Sequence, residues 1–231
     1  MKRFYTDVTI EADGDGFGIR LDGRPVRTPA RDTLRLPGMT LARAVADEWR
    51  AQGDEIDPRT MPLTGLANAG IDRVAPDPAA FAATLARYAE ADLLCYRAET
   101  PASLVAREAE AWDPLLAWAR TRYDVTFEIV TGIVHRPQPE QTVRRLAAAL
   151  SARNPFALAA MSPLVTIGGS LVVALAVAEG RIGADEAFDA TQVDETWQAE
   201  QWGEDPLAIA PREARRRDFA AAARFTALLP A

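Results

Sequence analysis

Val8-Thr9-Ile10-Glu11-Ala12-Asp13-Gly14-Asp15-Gly16-Phe17-Gly18-Ile19-Arg20-Leu21-Asp22-Gly23 reads as a β-hairpin that runs on into a second turn. Apolar residues alternate at Val8 and Ile10, and again at Ile19 and Leu21, with the two-residue period of strands that bury one face. The glycine-rich Asp13-Gly14-Asp15-Gly16 reverses the chain between them, and Asp22-Gly23 supplies the positive backbone angles that a tight hairpin needs. Pro25 has no N–H for a ladder, so Val26 is expected to open an edge strand, and Leu34 with Leu36 a further one before Pro37-Gly38. The chain therefore opens with a short-stranded antiparallel sheet.

Beyond that sheet the period changes. Leu41, Val45 and Trp49 recur at helical spacing, with Thr40 placed to cap the first turn and Gly53 to end the last. A second helix is expected from Thr64 to Val74, and Ala75-Pro76-Asp77-Pro78 forms a proline-rich joint. The fold class expected is α+β: a small N-terminal antiparallel-sheet domain with helices over residues 1–75, then a mainly α-helical C-terminal domain over 76–231. In the second part Phe81, Leu85 and Tyr88 share a helical face, and a helix continues from Leu104 to Trp112. Asp113-Pro114 is read as the cap and first residue of a fresh helix to Arg122. Val125 to Ile129 alternates like a strand without a legible partner, and helices are expected at 140–152, 164–179, 184–201 and 212–228.

Composition bounds the function. With 231 residues, 48% of them hydrophobic, the chain can bury a sizeable core. A formal net charge of -7 gives no overall field toward phosphate backbones or anionic lipid, so neither nucleic acid nor a membrane surface is an expected partner. The apolar stretch from Phe156 to Ala178 is interrupted by Pro163, Thr166, Gly168-Gly169 and Ser170, which points to a buried helix rather than a membrane span. Met1-Lys2-Arg3-Phe4-Tyr5 leads straight into the strand pattern without the features of a signal peptide or presequence, and a lone Cys95 fits a reducing compartment.

Chemistry-bearing groups are sparse. His135 is the one histidine, with no second histidine or cysteine at metal-ligand spacing, and Cys95 after Leu93-Leu94 reads as a small core hydrophobe. Gly14, Gly16 and Gly18 precede a hairpin rather than a helix N-terminus, so they do not cradle phosphate. In the calcium-loop pattern that Asp13-Gly14-Asp15 begins, Phe17 occupies a ligand position and Arg24 stands where the bidentate glutamate should be. Arg215-Arg216-Arg217 reads as a solvated helix face. Two acidic clusters remain, Asp47-Glu48 and Asp194-Glu195; Asp194 and Gln198 lie one helical turn apart, with Glu195 beside them. They could serve either a small acid–base enzyme or a polar contact with another protein.

Several blocks together carry a resemblance. Arg3-Phe4-Tyr5, Leu21-Asp22-Gly23-Arg24 leading to Thr28-Pro29, Val45-Ala46-Asp47-Glu48-Trp49 with Gln52, Met61-Pro62-Leu63-Thr64, Asp92-Leu93-Leu94-Cys95-Tyr96-Arg97, Trp112-Asp113-Pro114, and the closing Glu195, Gln198, Trp202-Gly203 resemble the ATP synthase alpha-subunit assembly chaperone family. They stand in family order across nearly the whole chain. The resemblance implies a sheet-based N-terminal domain before a helical one, no cofactor and no turnover. It also implies a protein that binds the free alpha subunit, shields the surface destined for beta, and then gives way to beta. A monomer in the bacterial cytoplasm is expected, since the family occurs in bacteria and mitochondria and no presequence is seen. A functionally sensitive acidic residue of the family falls at Asp194-Glu195, with Glu195 the better match; a His-Asp pair of the mitochondrial pattern has no counterpart between Pro206 and Pro211. The expected contacts are Glu195, Asp194, Gln198, Trp197 and Trp202, the tryptophans being either interface anchors or core.

Overall fold

The computed structural model describes residues 1–132 and 134–230. Its chain is helical with a small antiparallel sheet at the start, the α+β class expected. It forms two compact units. One comprises Met1–Pro78, Asn154–Ala160 and Arg224–Ala231; the other, Ala79–Arg153 and Met161–Ala223. Two segments from beyond the proline joint thus belong with the sheet.

In the first unit β1 (Val8–Asp13) pairs with β2 (Gly16–Leu21) from Val8↔Leu21 to Asp13↔Gly16. The next turn holds Asp22 and Gly23 at φ 47° and 78°, and β3 (Arg24–Pro25) and β4 (Arg35–Leu36) both pair with β2. Val26 donates to the Ile19 carbonyl at 2.9 Å, which continues the ladder past Pro25. Against the sheet lies α1 (Met39–Arg50), burying Leu41, Ala42, Val45 and Ala46 at helical spacing. Phe225 and Ala160 complete this core with Leu34, Leu36 and Ile19.

Thr40 does not cap α1: the cap position is Gly38, without a side-chain bond, and the helix ends at Arg50 before it reaches Gly53. The following helix, α2 (Pro62–Ala69), starts two residues earlier than expected and passes into a wider π turn at Gly70–Val74. Its early start has a cause on α1. The Glu48 carboxylate accepts from Leu63 N–H, Thr64 N–H and the Thr64 hydroxyl, each at 2.8 Å, and so occupies the positive end of α2. At Gly70 a Cβ would lie 3.1 Å from the Phe156 ring, a close approach that suits glycine.

In the second unit α3 (Pro78–Ala86) leads to β5 (Tyr96–Arg97) and then to α4 (Ala102–Tyr123). α4 is a single helix with Pro114 inside it, so the expected restart at Asp113-Pro114 is corrected. Trp112, Leu115 and Leu116 are buried along this stretch, and their packing carries the helix across the missing N–H. Asp113 forms no cap; its carboxylate receives Arg97 Nη2 at 2.7 Å. Residues 125–129 are extended but are not a strand, because side chains take the place of a ladder. Thr126 exchanges bonds with the Thr142 hydroxyl and Glu128 with the Gln138 amide, before β6 (Val130–Thr131) pairs in parallel with β5.

α5 (Glu140–Ser151) is followed by α6 (Pro155–Gly168) and α7 (Leu171–Ala178), which replace the one helix expected over 164–179. The break falls at Gly169, φ 65°, after which the Ser170 hydroxyl accepts from Val173 N–H at 3.0 Å. Leu171 to Val177 are all buried. Among the described residues no helix is long and apolar enough to cross a membrane. The helix expected over 184–201 divides into α8 (Ala184–Ala190) and α9 (Val193–Trp202), and α10 (Pro206–Ala227) begins well before the expected Arg212 and contains Pro211.

Candidate functional site

α9 and α10 form an elbow on the second unit. Gly203, φ 88°, ends α9, and the Asp205 carboxylate accepts from Leu207 N–H at 2.9 Å to cap α10 directly ahead of Pro206. This cap holds Leu207 84% exposed, and Ile209 follows at 41%. Across the bend Trp202 is 75% exposed, its ring meeting Trp197 edge-on with centroids 5.6 Å apart. Trp197 itself is buried. Of the two candidate anchors, one is therefore a core residue that supports the other from beneath.

The polar candidates also part company. Glu195 and Gln198 are exposed and border a hollow of about 290 Å³ beside Trp202, which Arg212 and Arg215 also line. The Glu195 side chain has no ion pair or hydrogen bond among the described residues, whereas Glu200 takes Arg107 at 2.6 Å and Glu204 takes Arg212 at 3.5 Å. Asp194 turns inward from the surface, and its Oδ1 is buried beside the Glu108 carboxyl. It faces Glu108 of α4, which is 1% exposed and accepts from Ala98 N–H at 2.9 Å.

Burial pushes the Glu108 carboxyl above the usual carboxylate range, and the neighbouring Asp194 adds to this, while the Ala98 N–H and Arg97 act in the opposite sense. A carboxyl whose folded value lies above its unfolded one contributes stability at low pH and loses that contribution as pH rises through the folded value. Glu108→Gln keeps an acceptor for Ala98 and cannot ionise. Across thermal melts from about pH 4 to pH 8, the parent protein should lose stability relative to the variant as pH rises. Superimposable profiles would assign the pH dependence elsewhere.

The other acidic cluster is occupied. Glu48 holds the start of α2 and Asp47 pairs with Arg50 at 2.8 Å. Burial raises Glu48, against the pull of its three hydrogen bonds. Cys95 is fully buried and its thiol is pushed up to about 12, so it offers no ready thiolate. His135 is exposed, its Nδ1 2.7 Å from the Tyr96 hydroxyl. Among the described residues no group of three histidine, cysteine or acidic side chains could hold a metal ion. Arg215 and Arg217 are exposed as expected, but Arg216 lies over the Phe188 ring at 4.8 Å and reaches Asp185 and Asp189.

Sequence reasoning missed Leu207, Ile209 and Glu108. The Asp205-Pro206 pair carries the cap-then-proline signature of a helix start and would have placed the first two within a helix; nothing local marks Glu108, which matters only because α9 packs on α4.

A family model described as ATP12 chaperone protein matches residues 2–120. The curated protein "Protein atp12, mitochondrial" of Schizosaccharomyces pombe is 25% identical over 214 residues, covering 87% of this chain and 74% of its own. Among solved structures, Atp12 from Paracoccus denitrificans superposes with a TM-score of 0.96 at 42% identity, covering 99% of this chain and 98% of that one. The Atu1473 protein of Agrobacterium tumefaciens does so at 0.94 and 42% identity, over 98% and 85%.

Proposed function

Since this chain belongs to the ATP12 chaperone family, we propose that it binds the free alpha subunit of ATP synthase, covers the surface that later meets beta, and yields to beta during assembly. The observation that carries this reading is the elbow, where Trp202 and Leu207 stand three-quarters or more exposed beside the unpaired carboxylate of Glu195. Large apolar side chains held out by a capped helix and a buried supporting ring make no sense as core, and they suit a partner's apolar surface. A patch of this modest size can be displaced by a subunit that offers a larger interface. Glu195, Gln198, Trp202 and Leu207 are the contacts, and Trp197 and Asp194 hold α9 in place beneath them.

In this reading the protein acts by occupancy in the bacterial cytoplasm, as a monomer, without cofactor, nucleotide or turnover. The engagement of Glu48 as a helix cap favours it over an acid–base enzyme that would use both acidic clusters. A tagged copy drawn from native lysate should retain the alpha subunit without assembled catalytic sector; recovery of active, complete synthase instead would make the protein a resident subunit.

Glu195→Gln separates binding from folding. The side chain is exposed and unpaired, so the variant should melt within about 2 °C of the parent protein. Assembled catalytic sector in cells carrying only the variant should nevertheless fall, since a charge at an interface governs fit and exchange. Normal assembly with normal melting would remove Glu195 from the site, and a large drop in melting temperature would make it structural.

A further inference from the structure

The hollow beside Trp202 has walls of two kinds. Ala199, Ala208 and the Trp202 indole are apolar, while three carboxylates and two guanidinium groups stand around them. Most of that charge is committed. Arg212 meets Glu204 at 3.5 Å and the Thr196 hydroxyl at 3.3 Å, and the Asp205 carboxylate caps α10. Glu195 and Arg215 remain. Both line the hollow, yet neither side chain has an ion pair among the described residues, not even with the other. With one acid in excess, the hollow as a whole is negative.

A second observation concerns Gln192, which is 6% exposed and also lines this hollow. Its amide nitrogen donates to the Thr191 carbonyl at 3.0 Å, which sets the orientation of the amide, and its Oε1 is buried without a donor. A buried acceptor left unpaired costs the free protein stability that an incoming N–H restores. Free carboxylate, unpaired amide oxygen, exposed indole and small apolar residues together fit one kind of side chain. Arginine brings several N–H donors on a planar cation that pairs with carboxylate and stacks on an aromatic face, and it brings an aliphatic stem for the apolar wall. At about 290 Å³ the hollow is sized for such a side chain rather than for a cofactor.

We propose that this hollow is a binding site for one arginine of the client chain, with the guanidinium over Trp202 and its N–H groups directed to the Glu195 carboxylate and the Gln192 acceptor. This rests on the client-binding reading above and adds to it the chemistry by which the elbow selects its partner. Arg215 opposes the incoming cation, which keeps the grip loose enough for beta to break.

The test titrates alpha subunit, freshly diluted from denaturant, against the full chain and three variants. Glu195→Gln should bind about fivefold more weakly and Arg215→Glu about fivefold more tightly, each the effect of one partly desolvated charge interaction. Arg217→Glu makes the same change in net charge two residues along α10 and outside the hollow, so it should bind as the parent does. All three side chains are exposed, and the variants should melt close to the parent. Acetylating the lysines of alpha should leave both shifts in place; if it removes them, the occupant is a lysine and the arginine is overturned. Weaker binding by Arg215→Glu would make the occupant an acid, and equal tightening by Arg215→Glu and Arg217→Glu would reduce the effect to a long-range field; either result overturns the proposal. If all three variants bind as the parent does, while Leu207→Asp with Trp202→Ala does not, the hollow takes no charged side chain and the elbow reading stands alone. If the parent protein binds nothing, both fall together.

Discussion

Asp92→Ala should lower stability by about 3 kcal/mol, an effect comparable to truncating a large core side chain. The Asp92 side chain is wholly buried and joins three pieces of the second unit. It accepts from the Ser170 hydroxyl at 2.7 Å, from Val172 N–H at 3.0 Å and from Leu94 N–H at 3.1 Å, which ties the turn before β5 to the start of α7. Burial pushes the carboxyl upward and these donors oppose it, so their hydrogen bonds are what make the site tolerable. Alanine leaves all three donors buried and unpaired, at about 1 kcal/mol or more each. For a chain of this length that is a fall of roughly 10 °C in the melting midpoint. Asp92→Asn, which keeps one acceptor oxygen, should lose distinctly less. A variant Asp92→Ala that melts within a degree or two of the parent would show that water or a shifted backbone satisfies the donors.

Leu207→Asp combined with Trp202→Ala should abolish most client capture while the fold persists. Leu207 is 84% exposed, so a charge there costs the free protein little, and the truncation at position 202 removes only the edge-on contact with Trp197, about 0.5–1 kcal/mol. In a complex the same two side chains would be the most desolvated. Loss of one aromatic anchor of hot-spot strength, about 2 kcal/mol, weakens binding roughly 30-fold, and an aspartate set against an apolar surface adds to it. Titration of labelled, freshly diluted alpha subunit against parent and double variant measures the difference, with circular dichroism melts as the control. Equal affinities with equal melts would place the client elsewhere on the molecule.

The hairpin and α1 were legible because each rests on local rules. Alternation, the Asp22-Gly23 turn and the Leu41-Val45-Trp49 spacing report burial directly, and the structure has the corresponding strands and helix. The errors came where two local signals compete. Asp113-Pro114 and Asp205-Pro206 carry the same cap-then-proline signature. At 113–114 packing of Trp112, Leu115 and Leu116 carries one helix through, and at 205–206 a glycine immediately upstream has already ended the previous helix, so the signature acts as a start. Segment 154–160 read as part of a helical second half, yet it packs with the sheet, a long-range choice that no local window contains.

The candidate site was legible only in part. Glu195, Gln198 and Trp202 were picked out through resemblance and lie exposed around one hollow. Asp194 and Trp197 are their neighbours in sequence, but α9 turns them toward α4 and the core, because on a helix a shift of one or two residues changes the face. Glu48 looked like a catalytic acid beside Asp47 and is a helix cap, a role visible only once α2 is seen to begin opposite it.

Whether this protein holds the free alpha subunit can be read from light scattering during dilution of denatured alpha, without nucleotide and with this protein in stoichiometric excess. Scattering should be suppressed for alpha and not comparably for beta diluted in the same way, and addition of folded beta should then release alpha into the assembled sector. Unchanged aggregation of alpha at that excess would contradict this holding role.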